Sequence, residues 1–496
     1  MARKPDAPVG GESSTDRSGD AAADAALLAA LRGVLGDRAR DNDFERGLYS
    51  RDGSIEGNSP AIVCLPETAG EVAEIVRICR RHRRPFLARG SGTGLAGGAV
   101  PVGHPVVVAT AKMDRIVEVD TADRIAWVEP GVLNLDLSRA LAPLGFHFAP
   151  DPSSQQVCSI GGNIANNSGG PHCLAYGVTT AHIAALEVVL PSGETTVLGG
   201  VDPEPPGFDL RGLFVGSEGT MGIATKAAVR LTPNAPSVRT LLLDFDDVSE
   251  GSATVSAIIA AGLVPSALEM MDQRAIEIVE AFAHAGYPTE AAAVLLVELD
   301  GLSGGVDAGV DIVHEVALQH HVGHVRVAAD DEERALLWKG RKNAFGAVAR
   351  IKPDYYLHDT VVPRSRLTEV LEKVYRIADA YDLIAVNVFH AGDGNLHPIL
   401  AFDRREPGVD ERVKAAGRDI VAASIEAGGV LSGEHGIGLE KRDYMGMLFG
   451  AHDMYTQDLV REAFDPDGLA NPLKIIPTGS RCSDSFRQHV PEGAWV

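Results

Sequence analysis

The sequence predicts a multidomain α+β protein, on three observations: a strand-helix-strand start, a second block with β-α-β order, and glycine clusters placed just after strands. At 496 residues the chain is longer than the ~250–300 at which a single hydrophobic core stops growing, so two or more domains are expected. Hydrophobic residues make up 45% and charged residues 23%, both near globular averages, which excludes a disordered or collagen-like chain. The 54 glycines imply many tight turns or close backbone approaches.

Taken in order, residues 1–22 are rich in Gly, Ser, Asp and Ala and read as a disordered tail. AADAALLAALRGVLGD has helical apolar spacing, so residues 23–56 form an N-terminal helical segment. PAIVCLP, ETAGEVAEIVRICRRHR and PFLARG then predict strand, helix and strand. Further strands fall at VVVAT, IVEVD, IAWVEP, HIAALEVVL and ATKAAVRL, giving a domain over residues 57–235. The next block, RTLLLDF, SEGSATVSAIIAAGL, SALEMMD, AIEIVEAF and AAAVLLVEL, opens a ferredoxin-like α+β cap over residues 236–455. Within it Leu367 to Asp382 reads as a helix, AVNVFH and LHPIL as strands around the turn AGDGN, and the stretch after Val409 as a long helix ending near Gly428.

A formal charge of −23 argues against nucleic acid or an anionic membrane surface as a partner. The five cysteines, Cys64, Cys79, Cys158, Cys173 and Cys482, contain no CxxC pair, which argues against a disulfide framework and against a cysteine-ligated iron–sulfur or zinc site of the chain's own. The N-terminus lacks an apolar signal region and no stretch approaches ~18 consecutive apolar residues, so a cytoplasmic protein without a transmembrane segment is expected.

The first chemical motif is the run Arg89, Gly90, Ser91, Gly92, Thr93, Gly94, directly after a strand. Its glycines let backbone N–H groups converge on an anion such as a pyrophosphate, although tight turns alone use the same residues. A second segment runs from Pro150, Asp151 and Ser153 into Gly161, Gly162 and Asn163, then Asn166, Ser168 and Gly169. A third, VGSEGTMGI, holds Glu218, Gly222 and Ile223. Two or three such segments suit one extended ligand.

PETAGEVAEIVR, ARGSGTGLAGGAV, IGGNIANNSGG and GSEGTMGIAT together resemble the FAD-binding domain of the vanillyl-alcohol oxidase and p-cresol methylhydroxylase (PCMH) superfamily, over roughly Gly57 to Pro233. The resemblance implies a two-subdomain PCMH-type domain with the FAD pyrophosphate on Arg89 to Gly94. It implies further cofactor contacts from Pro150, Gly161, Gly162, Ser168 and Ile223, and marks Asp151, Ser153, Asn163, Asn166, Gly169, Glu218 and Gly222 as additional candidates. Members that bond FAD covalently through this loop carry His where this chain has Thr93, so non-covalent FAD is expected.

Nearer the C-terminus, HAGDGNLH places His390 and His397 at the mouths of two strands, and SGEHGIG supplies Glu434 and His435. Two imidazoles and a carboxylate suit a divalent metal, zinc or manganese, although hairpin histidines satisfied by backbone would give the same pattern. With LVPSALEMMD, LWKGRKNAF, DYYLHDTVVP and FDPDGLANPLKIIP, these motifs resemble the C-terminal domain of FAD-linked oxidases, in the branch of D-lactate dehydrogenases and glycolate oxidase flavoprotein subunits. That resemblance implies a metal on His390, His397 and Glu434, His435 as general base and Asn395 near the substrate. It also implies a C-terminal helical segment, residues 456–478, returning to the FAD domain before a tail at 479–496.

The implied activity is oxidation of a small D-2-hydroxy acid to the 2-oxo acid. A metal on the substrate hydroxyl lowers its pKa, a neutral histidine with pKa near the working pH takes the proton, and hydride leaves Cα for flavin N5. Arg341 is the cation for the carboxylate, with a surface arginine on a helix as the alternative. His147, His172 and His182 read as structural, His172 with the option of lying beside the flavin. Leu357 and Ile399 stand where relatives acting on 2-hydroxyglutarate carry polar residues, which favours a monocarboxylate. An alkylglycerone-phosphate synthase-like transferase shares the FAD domain and is the non-redox alternative. Electrons must leave to an external acceptor, whether quinone, cytochrome, iron–sulfur partner subunit or oxygen, and a homodimer fits the family.

Overall fold

The computed structural model describes residues 14–202 and 206–477. The first helix, Ser14–Leu35, begins inside the stretch read as a tail, where the alanine-rich run AAADAALLAAL favours helix. Residues 1–13 and the 479–496 tail lie outside the described residues. Leu27, Leu31 and Leu35 recur every fourth residue, and all three are buried in a core shared with the helix Ala69–Arg81. That helix starts where Thr68 Oγ1 accepts from the Glu71 N–H at 3.2 Å, and it buries Val72, Ile75, Val76 and Cys79 along one face.

It carries the chain from Ile62–Cys64 to Phe86–Arg89, both parallel to the central strand Val106–Ala109. The central strand is an unbroken apolar run because both of its faces are covered. A second sheet of five antiparallel strands follows, in the order Ile116–Asp120, Ile125–Val128, Ile223–Arg230, Ile183–Val189, Thr195–Gly199. These two sheets are the two subdomains expected of a PCMH-type FAD domain.

In the cap, the strands Ser237–Phe245, Ala267–Asp272, Ala293–Gly301 and Val325–Val327 lie in the spatial order fourth, first, third, second, which is the ferredoxin-like arrangement. Ile384–His390 pairs with Ala267–Asp272 and extends the sheet toward Pro398–Phe402 and Asp354–Leu357. Alternation decides the faces: Leu241, Leu243 and Phe245 meet the helices Val248–Ala260, Ser303–Gln319, Leu367–Ala380 and Val409–Glu426, while Leu242 meets Gln273–Ala283 and Asp331–Lys342 on the other side. The chain then returns to the first sheet, where the Asn471 N–H donates to Phe86 O at 2.8 Å and the buried Lys474 Nζ to Val100 O at 2.6 Å. No described helix is long and apolar enough to cross a membrane.

The turn between Ile384–His390 and Asn395–Leu396 depends on Gly394, whose φ is +78° and whose added Cβ would stand 2.1 Å from Val362 O. Gly394→Ala is therefore expected to cost about 1–3 kcal/mol and to disturb the hairpin that carries both histidines. A thermal melt checks this, and an unchanged Tm contradicts it.

Candidate active site

A cleft of about 1400 Å³, counting its open mouth, runs between the two domains. Its floor is the loop Gly90, Ser91, Gly92, Thr93 and Gly94. A Cβ on Gly90 would come within 2.4 Å of Ser159 Oγ and 3.2 Å of Gly162 N, so only glycine lets this loop meet the turn that opens the helix Ile160–Asn166. Gly162, Asn163, Asn166 and Ser168 line the same cleft, with Ser153 on a neighbouring turn and Glu218 on the third glycine segment. Around the glycine loop the wall offers backbone amides and the hydroxyls of Ser91, Thr93, Ser153, Ser159 and Ser168, with its two carboxylates, Glu218 and Glu434, outside that loop, and this donor set fits a pyrophosphate and its sugar alcohol chain.

Several expected contacts stand elsewhere. Arg89 is buried and its guanidinium turns away from the cleft, donating from Nη1 to Ala99 O at 3.1 Å and from Nη2 to Arg51 O at 2.7 Å. Burial forces those donors to be spent, so Arg89 braces the loop from beneath rather than meeting the ligand. Pro150 O accepts from Asn134 Nδ2 at 2.8 Å, and Asp151 pairs with His172 at 2.9 Å. Gly161 packs against Pro130; with Gly222 and Ile223 it lines a smaller cavity behind the loop. Gly169 adjoins Glu434: its added Cβ would lie 2.8 Å from Glu434 Oε2 and from Cys173 Sγ.

The cap supplies the other end of the cleft, with Lys342, Phe345, Tyr355, Leu357, Glu434 and His435. Leu357 faces it as expected, but Ile399, its register partner, is fully buried in the apolar core and lines no part of the cleft.

The hairpin brings His390 and His397 together with ring centroids 5.0 Å apart. Glu434 Oε1 lies 3.4 Å from His390 Nε2, 3.3 Å from His397 Nε2 and 3.7 Å from His435 Nε2. His397 is 1% exposed, yet neither ring nitrogen has an aligned hydrogen-bond partner, and Glu434 Oε2 has none. Buried polar atoms left in this state cost about 1–3 kcal/mol each unless something fills the site. A divalent cation answers that donor set. His390 Nδ1 is held by Glu269 Oε1 at 2.7 Å, an outer carboxylate that orients Nε2 inward, as a metal-bound imidazole requires. Against the pull of burial, Glu269 and Glu434 raise His390 well above the usual imidazole range.

His435 stacks on His397 at 5.0 Å. Burial pushes its imidazole down to about 4, lower than the near-neutral value expected of the base, so it is uncharged and open to a proton at neutral pH. Arg341 is fully buried, which rules out the surface-helix alternative. It meets Glu269 Oε2 at 2.5 Å, while its Nε and Nη1 have no hydrogen-bond partner. Asn395 is buried off the cleft wall, with its side-chain amide against Asp359 Oδ1 and Thr360 O; assigning the nitrogen to that side gives donation to Asp359 Oδ1 at 2.8 Å.

Among the buried charged residues that escaped the sequence reading are Glu269, Asp359 and Lys441. Glu269 had a signal, a carboxylate in the middle of the apolar run ALEMM; Lys441 had none. His172, set among Asp151 at 2.9 Å and Glu298 at 3.2 Å, bridges the two domains, and those carboxylates outweigh burial to raise it to about 10. His147 pairs with Asn234 at 2.9 Å and His182 with Tyr176 O at 2.8 Å, as structural histidines do.

Two family descriptions match the chain: "FAD binding domain" over residues 60–199 and "FAD linked oxidases, C-terminal domain" over residues 235–475. Glycolate oxidase subunit GlcD of Escherichia coli (strain K12) is 45% identical over 468 residues, covering 94% of each chain. D-lactate dehydrogenase of Anaerostipes hadrus is 32% identical over 90% of this chain and 95% of its own. The crystal structure of p-cresol methylhydroxylase with substrate bound superposes with a TM-score of 0.76 at 19% identity, over 92% of this chain and 97% of that one, a likeness of fold.

Proposed function

The chain belongs to the FAD-linked oxidases, and on that premise we propose that it oxidises a small D-2-hydroxy acid, D-lactate or glycolate, to the 2-oxo acid. The observation that carries this reading is the convergence of His390, His397 and Glu434 on one point, beside a neutral His435, at the cap end of the flavin cleft. When bound there, FAD supplies a hydride acceptor and a zinc or manganese ion on those three residues supplies a Lewis acid for the substrate oxygens.

The remaining work falls to the chain. His435 takes the hydroxyl proton, Nε2 being the ring nitrogen that faces Glu434. The unpartnered Nε and Nη1 of Arg341 are the reserve of donors for a substrate carboxylate. Phe345 and Leu357 close the cap end with apolar surface, which favours a short monocarboxylate. Thr93 lines the cleft where a covalent linkage would require an imidazole, so FAD is held without a bond.

The same likeness supports a second reading, in which the chain is the flavoprotein subunit of a multi-subunit glycolate oxidase and an iron–sulfur partner collects its electrons. A quinone, a cytochrome or oxygen would serve a stand-alone enzyme.

A panel of D-lactate, L-lactate, glycolate and D-2-hydroxyglutarate, assayed with an artificial dye as acceptor, tests the substrate class. D-lactate or glycolate is expected to give the highest kcat/KM, and acid precipitation of the same sample should release the flavin. Activity confined to L-lactate, or highest with the dicarboxylate, overturns the reading.

A further inference from the structure

The segment Ser432 to Gly438, which carries Glu434 and His435, belongs to neither a helix nor a strand, and Gly436 and Gly438 in it have φ of +87° and +52°. A loop of this composition keeps one shape only if something outside it holds its backbone. Two buried carboxylates do so from opposite sides. From the FAD domain, Glu218 Oε1 accepts from Ile437 N at 2.7 Å and Gly438 N at 3.1 Å. From the cap, Asp359 accepts from Gly433 N at 3.0 Å, Glu434 N at 3.3 Å, His435 N at 3.0 Å and Ser432 Oγ.

Asp359 also takes the Lys441 Nζ at 3.3 Å and, with the Asn395 amide assigned nitrogen-inward, that nitrogen at 2.8 Å, and it is wholly buried. By spacing alone it joins His397 and His435 in a possible ligand trio. Its oxygens, however, are already committed to these donors, and a carboxylate offers roughly four acceptor sites.

We infer that Asp359 is a positioning residue that sets the geometry of both Glu434 and His435, so that the metal ligand and the base move together if it is lost. The inference rests on the reading of the site given above. An asparagine of the same shape can keep an oxygen where Oδ2 accepts from Glu434 N and His435 N, but it removes the charge that faces Lys441 Nζ at 3.3 Å and puts an NH₂ group where Oδ1 accepts from Gly433 N at 3.0 Å.

The test is Mn²⁺ binding to FAD-replete protein, followed by the electron paramagnetic resonance of the free ion, in wild type and Asp359→Asn. The variant is expected to keep its FAD, to bind Mn²⁺ about 10–100-fold more weakly and to lose kcat by a similar factor with a smaller change in KM. If Asp359→Asn fails to fold, Ser432→Ala removes one donor from the same carboxylate and should weaken Mn²⁺ in the same direction by less. Wild-type protein that takes up no Mn²⁺ defeats the reading of the site and this inference with it. Wild type that binds while Asp359→Asn, or Ser432→Ala in its place, binds equally well defeats the inference alone. Loss of FAD together with metal in Asp359→Asn also overturns it, by making Asp359 a support of the whole cleft.

Discussion

Replacing His435 by alanine is expected to leave FAD in place and to slow flavin reduction by about 10²–10⁴-fold, the usual contribution of a positioned general base. The anchors of this residue are backbone atoms, since its N–H donates to Asp359 at 3.0 Å and its carbonyl accepts from Asn166 at 2.7 Å. Both survive the substitution, so the loop and Glu434 stay where they are. Rapid-mixing kinetics with bound flavin as the reporter measure the effect. A variant that reduces its flavin at the wild-type rate removes His435 as the base.

Metal extraction is expected to have the larger effect. Treatment with EDTA should abolish turnover, and Zn²⁺ or Mn²⁺ should restore it, because His390 Nε2 and His397 Nε2 lie 3.4 and 3.3 Å from Glu434 Oε1 and neither His397 ring nitrogen has an aligned hydrogen-bond partner. Without a cation, the carboxylates of Glu269 and Glu434 favour the protonated form of His390 against the pull of burial. Activity indifferent to chelation, with metal absent by elemental analysis, contradicts the ligand assignment.

The fold, and the pairing of His390 with His397 across one hairpin, were legible because local pattern carries them. Apolar runs and alternation marked most strands, apolar spacing marked the helix after Thr68, and the glycine loop came directly after its strand. His390 and His397 were within one hairpin, where a turn of known length fixes which residues face each other.

What stayed hidden depends on distance in the chain. Asp359 meets residues 432–435, and Glu269 meets His390 and Arg341; no spacing rule links such positions. The direction of a side chain was equally beyond pattern. Arg89 sits in the right motif yet points beneath it, and Asn395 sits in the metal hairpin yet turns toward Asp359, because each buried donor takes the nearest acceptor. Ile399 showed the same limit: alternation along Pro398–Phe402 put it in the core rather than in the cleft.

The measurement that bears most directly on the whole account is anaerobic mixing of D-lactate and of glycolate with FAD-replete protein, in the metal-loaded and the metal-stripped state, with the flavin absorbance followed to completion. The metal-loaded protein should bleach fully with at least one of the two acids, and the stripped protein should keep its oxidised flavin. Bleaching by neither acid in the loaded protein, or equal bleaching in both states, contradicts the account.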